Sequence, residues 1–273
     1  MPFAENQGAR IYWEEHGQGS PILLVMGLGW TSAMWYRTQP ILAARFRTVL
    51  LDNRGVGRSD VPPGPYPIAL MASDAAAVLD AAGIQTAHIF GVSMGGMIAQ
   101  EFALQYREHV HSLILACTAP GGPHAVQAEP AVLQSLFGQG LSPDEFAEVI
   151  NPFIYDSSTP RERIEEDIVL RKKWHPTETG YLGQLQGILA WEAYSRLPQI
   201  AAPTLVIHGE NDRLIPPANS HLIAKRIPGA KLILIPKAGH VLSTDQPDAV
   251  HREVLGFLSS LPASLRHAAN PMA

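Results

Sequence analysis

Gly91-Val92-Ser93-Met94-Gly95 constrains this chain more than any other stretch, because it joins an apolar run, Ala87 to Val92, to a helix-like segment, Gly96 to Tyr106. A G-x-S-x-G pentapeptide between strand and helix reads as a nucleophile elbow. The turn is so sharp that neighbouring backbone crowds the flanking positions, which is why they are glycine, while the serine side chain stands at an exposed apex. Ile84 to Val92 reads as a buried strand, and Met94, Met97, Ile98, Phe102 and Ala103 recur at helical spacing behind the serine. The first turn of such a helix points backbone N–H groups at whatever Ser93 attacks.

Arg10 to Glu15, Ile22 to Met26, Phe46 to Leu51 and Ser112 to Cys117 read as further strands, with helix-like segments such as Leu70 to Ala82 between strands. Strands alternating with helices predict an α/β fold with a mostly parallel sheet covered on both faces. The rhythm breaks at Ala119-Pro120-Gly121-Gly122-Pro123 and resumes at Pro203 to His208 and Ala230 to Ile235. The interval carries helix starts instead, at Ser142-Pro143-Asp144-Glu145 and at Thr159-Pro160. Residues 1–120 and 196–273 therefore read as one core and 121–195 as a helical cap inserted into it. The tail after Leu261 is weakly patterned and is expected to fray.

With 273 residues and a formal net charge of -5, the chain suits one large domain and lacks a basic footprint for nucleic acid or an anionic membrane. No stretch reaches the roughly 18 apolar residues of a membrane span, and Met1 to Gly17 has no leader pattern, so a cytoplasmic protein acting on a small molecule is expected. The single cysteine, Cys117, lies in an apolar run and reads as a buried structural thiol. Neither H-E-x-x-H nor a Cys/His cluster indicates a metal, and Gly27-x-Gly29 fails as a dinucleotide fingerprint because Ser32 stands at the third glycine position. No cofactor is expected.

A serine hydroxyl is a poor nucleophile unless a base takes its proton and an acid orients that base. Downstream, His208-Gly209-Glu210-Asn211-Asp212 places an acid just after one strand, and Gly239-His240 places an imidazole just after the next. Both belong at the carboxyl edge of a parallel sheet, where open α/β folds build their sites.

In these motifs the chain resembles the α/β-hydrolase superfamily over roughly residues 10 to 260, with the order Ser, Asp, His that the fold requires. The resemblance implies Ser93 as nucleophile, His240 as general base and acid, and Asp212 as its orienter, the H-G-x-x-D pattern selecting Asp212 over Glu210. It implies an oxyanion hole from the backbone N–H groups of Leu28 and Met94, although Met26-Gly27 stands where the family usually has His-Gly. Asp52 to Ser59 resembles the family's D-x-R-G-x-G-x-S loop, with Arg54 pairing structurally. Cap aromatics are candidates for an acyl pocket, Trp191 and Tyr155 among them.

The activity implied is carboxylic ester hydrolysis through an acyl-enzyme, with lactonase the nearest alternative. Ser93 argues against haloalkane dehalogenases and epoxide hydrolases, which carry aspartate at the elbow. Gly29, where cofactor-free haloperoxidases often have proline, favours ester hydrolysis over perhydrolysis. A carbon–carbon bond hydrolase and a non-turnover ligand receptor on the same fold are the remaining alternatives.

Overall fold

The apolar runs do become the sheet. A computed structural model of the protein describes residues 2–137 and 141–262. Eight strands form one sheet: β1 (Phe3–Asn6), β2 (Ala9–His16), β3 (Ser20–Val25), β4 (Phe46–Leu51), β5 (Ala87–Val92), β6 (Val110–Ala116), β7 (Thr204–Gly209) and β8 (Lys231–Ile235). Their order is β1-β2-β4-β3-β5-β6-β7-β8. From β4 to β8 every neighbouring pair is parallel, whereas β1 and β2 add on antiparallel.

All six residues of β3 and of β7 are buried, because helices cover both faces of the sheet. The period of two along a strand divides their side chains between two core layers. Leu23, Val25 and Ile89 point to one layer with α2 (Ile68–Ala81) and α3 (Met94–Gln105), while Ile22, Leu24 and Phe90 point to the other. That second layer is closed by Leu42 of α1 (Gln39–Ala43) and by Val250, Val254 and Leu258 of the C-terminal helix, Pro247–Ser260.

Between β6 and β7 the chain leaves the sheet and forms α4 (Pro130–Ser135), α5 (Pro143–Ile154), α6 (Arg161–Lys173) and α7 (Glu178–Leu189). The start of α5 is a full capping box: the Ser142 hydroxyl accepts from Glu145 N–H, and the Glu145 carboxylate accepts from Ser142 N–H. Three more helices follow β7: α8 (Ala218–Arg226), α9 (Leu242–Asp245) and α10, the C-terminal helix already described.

Two elements differ from the sequence reading. Ile84 is no part of β5; its N–H donates to Leu79 O at 2.8 Å, closing the end of α2 over Gly83 at φ 68°. The edge strand β1 is an addition, four residues that pair with β2 through the Gln7-Gly8 turn. The tail expected to fray lies, from residue 263, outside the described residues. Among the described residues no helix is long and apolar enough to cross a membrane.

Candidate active site

Ser93 sits between β5 and α3 with φ 58° and ψ -122°, a region that costs a non-glycine residue on the order of 1–3 kcal/mol. The surroundings enforce it. A Cβ on Gly91 would lie 2.1 Å from Gly95 O, and one on Gly95 would lie 2.1 Å from Val25 O, so the turn closes only with glycine at both positions. Ser93 N–H donates to Ala116 O at 2.9 Å, and the Thr118 hydroxyl donates to Ser93 O at 2.8 Å.

The loops after β7 and β8 bring an acid and an imidazole together. His240 Nδ1 donates to Asp212 Oδ2 at 2.8 Å, with both side chains buried. Because a carboxylate only accepts, Nδ1 carries a proton, and in the neutral imidazole Nε2 is then the basic nitrogen. The other Asp212 oxygen accepts from Leu214 N–H and Ile215 N–H, each at 2.9 Å. Burial opposes the Asp212 charge, but the two histidines against it prevail and hold the carboxyl far below the usual carboxylate range.

The second of these histidines went unread in the sequence. His208, one residue before the end of β7, is fully buried, with Nε2 3.0 Å from Asp212 Oδ2 and 2.8 Å from Ile215 O. Both partners only accept, so Nε2 carries a proton, while Nδ1 is hydrogen-bonded to the Ser220 hydroxyl. His240 is braced in turn: Gly239 N–H donates to Asp245 at 2.6 Å, and Val241 N–H donates to Ile154 O, at the end of α5, at 3.0 Å.

The loop after β3 supplies the third component. Gly29 has φ +72°, and its N–H donates to the Gln184 side chain of α7 at 2.8 Å. Gln184, wholly buried, donates back to Arg54 O at 2.8 Å, so one amide from the insertion joins two core loops. Met26 O accepts from the Asn53 side chain at 2.8 Å, which anchors the position where the family's histidine is replaced. Among the described residues Leu28 N–H has no backbone acceptor. Arg54 itself is engaged with Asp74 in a buried pair at 2.6 Å.

Ser93, Met94, His240 and Leu28 all line one cavity of about 350 Å³. Its far wall comes from the insertion, including Phe146, Tyr181, Leu185 and Ile188. Trp191 and Tyr155 are not on that wall, which corrects their assignment as pocket candidates. Trp191 Nε1 donates to Glu101 of α3 at 2.7 Å, and the Tyr155 hydroxyl donates to Asp167 of α6 at 2.9 Å. Each aromatic turns its polar tip to a buried carboxylate; Trp191 thereby ties the insertion to the core, and Tyr155 ties the end of α5 to α6 within it. Phe146 belongs to an i, i+4 row with Ile150 and Ile154 along α5, a periodicity that marks the buried face of that helix.

Cys117 lies beneath the acid and base, with donor atoms of Cys117, Asp212 and His240 all within 4.8 Å of one another. Burial, then the Asp212 charge, pushes the thiol well above its ordinary range, so it stays protonated and is a poor metal ligand.

Residues 20–159 and 166–247 match the model of a family described as alpha/beta hydrolase fold. A provisionally named carbamate hydrolase, RutD, of Azorhizobium caulinodans is 34% identical over 266 residues, 96% of this chain and 99% of that protein. The enol-lactonase from Burkholderia xenovorans LB400 superposes with a TM-score of 0.85 at 26% identity, covering 94% of this chain and 100% of the other. Est816, described as an N-acyl homoserine lactone degrading enzyme, superposes with a TM-score of 0.81 at 29% identity over 94% of this chain and 100% of its own.

Proposed function

Since this chain belongs to the alpha/beta hydrolase fold family and is a hydrolase, we propose that it cleaves carboxylic esters through an acyl-enzyme formed on Ser93. The observation that carries the reading is the buried His240–Asp212 pair opening onto the same cavity as the strained serine. His240 Nε2 takes the Ser93 proton as Oγ attacks the ester carbonyl, and the carbonyl oxygen becomes an oxyanion. Leu28 N–H and Met94 N–H hold that oxyanion. Collapse of the adduct breaks the bond to the alcohol oxygen, which leaves with the proton from His240. Water, deprotonated by the same imidazole, then releases the carboxylic acid and restores the serine.

Gly29 supports hydrolysis over perhydrolysis. Its φ of +72° and its bond to Gln184 are both closed to proline, which fixes φ near -65° and has no N–H. Lactone opening is the second reading, favoured by the likeness to the enol-lactonase and to the N-acyl homoserine lactone degrading enzyme. It uses the same steps, with the alcohol tethered to the acyl group.

The test is acid release from a p-nitrophenyl acyl series and a matched lactone series. Ser93→Ala is expected to lower kcat on the order of a millionfold if the three residues act as a unit. Substantial turnover by the pure variant removes Ser93 from the mechanism. Efficient cleavage of vinylogous diketones in preference to esters would instead identify a carbon–carbon bond hydrolase, and single-turnover labelling without release a receptor.

A further inference from the structure

The cavity wall is positive in a protein whose net charge is -5. Among the described residues it carries three guanidinium or ammonium side chains, Arg37, Arg171 and Lys172, and no carboxylate. Two of the three are answered from outside the wall: Arg37 by Glu166 and Lys172 by Asp144. Arg171 is different. Its hydrogen-bond partner is neutral, the Asn151 side-chain oxygen at 2.7 Å, and among the described residues it forms no ion pair with a carboxylate. The acid one turn earlier on α6, Asp167, is already taken by the hydroxyls of Tyr36 at 2.6 Å, Tyr155 at 2.9 Å and Thr244 at 2.7 Å.

The position of Arg171 ties its charge to the chemistry. Its guanidinium lies over the Trp30 indole, 5.1 Å from the ring centroid, and Trp30 follows the loop of Leu28 and Gly29. His175, also on the wall, adds little positive charge of its own, since burial and then Arg171 hold its imidazole below the ordinary value. A half-buried arginine without an acid is an unspent fork of donors matched to a planar anion.

We propose that Arg171 binds a carboxylate on the substrate, so that the preferred esters or lactones are half-acids whose acyl chain ends in a free carboxylate. The inference rests on the ester-hydrolysis reading for its reaction, though not for its binding. The apolar residues of the wall would enclose the methylene chain between the scissile carbonyl and that carboxylate, leaving the two ends to Ser93 and Arg171.

Monomethyl adipate and dimethyl adipate differ at one end only, and methanol release measures both. The expected kcat/KM ratio favours the half-acid by roughly ten- to a hundredfold, the range of a charge-assisted hydrogen bond. In Arg171→Met the ratio falls to about one, Arg171→Lys retains part of it, and Val169→Ala, exposed on the same helix, keeps it. An equal ratio in the unmodified enzyme, or a preference that survives Arg171→Met, overturns the proposal. A binding arm separates it from the reaction: calorimetry on Ser93→Ala protein should show tighter binding of monomethyl adipate than of the diester, lost on adding Arg171→Met. If no ester is turned over, the ester reading falls and the binding arm alone decides; equal binding of the two esters there defeats the carboxylate site.

Discussion

Replacing Gln184 by leucine tests whether the insertion shapes the oxyanion loop as well as roofing the cavity. The side chain keeps its bulk but loses the acceptor for Gly29 N–H and the donor to Arg54 O, both at 2.8 Å and both buried. A buried polar group left without a partner costs about 1–3 kcal/mol, so two such groups give roughly 2–6 kcal/mol if the backbone stays in place. The alternative is for the Gly29 peptide to turn and find another acceptor. Leu28 is the preceding residue, so that turn moves its N–H away from the oxyanion. Outright loss of one oxyanion donor costs about 10²–10³ in kcat, which bounds the effect; a displaced donor should cost about tenfold or more. Urea unfolding reads the first outcome and steady-state hydrolysis of p-nitrophenyl butyrate the second. Gln184→Glu keeps an acceptor for Gly29 and should retain more kcat than Gln184→Leu. A Gln184→Leu enzyme with unchanged urea midpoint and unchanged kcat refutes the reasoning.

Gly29→Pro should lower kcat at least as far as Gln184→Leu, because proline cannot adopt φ +72° and has no proton for Gln184; p-nitrophenyl butyrate hydrolysis reads the loss. His208→Leu removes a donor from Asp212, which makes the carboxylate more basic and a better partner for protonated His240. The acid limb of kcat/KM against pH should therefore move to higher pH. His88, buried in the sheet beside the Ser112 hydroxyl, is pushed down to about 4 by burial first and then by His111. Unfolded, its imidazole takes a proton below its ordinary value of 6.5, so the unfolded state binds more protons between pH 6.5 and 4 and stability falls across that window. The loss is on the order of 3 kcal/mol at most, and His88→Gln should flatten that part of a urea-midpoint-against-pH curve.

The sheet was legible because residues buried on both faces leave continuous apolar runs, and Phe46–Leu51 has in the structure the limits read for it. Ile84 misled for the same reason: a hydrophobic residue closing a helix looks like the first residue of the strand that follows. Ser93, Asp212 and His240 stand out since their motifs are local in sequence and sit at strand ends. Gln184 has no such signature; its two partners lie 155 and 130 residues away, and nothing around it announces either. Its helix was equally quiet, for α7 carries Gly180, Gly183 and Gly187, poor helix formers that are needed where α7 meets Gly55 and Tyr66 closely. Trp191 and Tyr155 show the limit of composition: an aromatic in a cavity wall and one capping a buried acid look alike until the acid is located.

Asp167 carries a consequence for anyone who would exchange the insertion between relatives. Its two oxygens collect hydroxyls from Tyr36 before the insertion, Tyr155 within it and Thr244 after it. A transplanted roof lacking this aspartate would strand Tyr36 and Thr244 on the recipient, and a donor segment bearing it would bring a buried anion left with Tyr155 alone to a host without them. The portable unit is therefore the segment together with those two outlying residues, and chimeras should be cut to carry all of them.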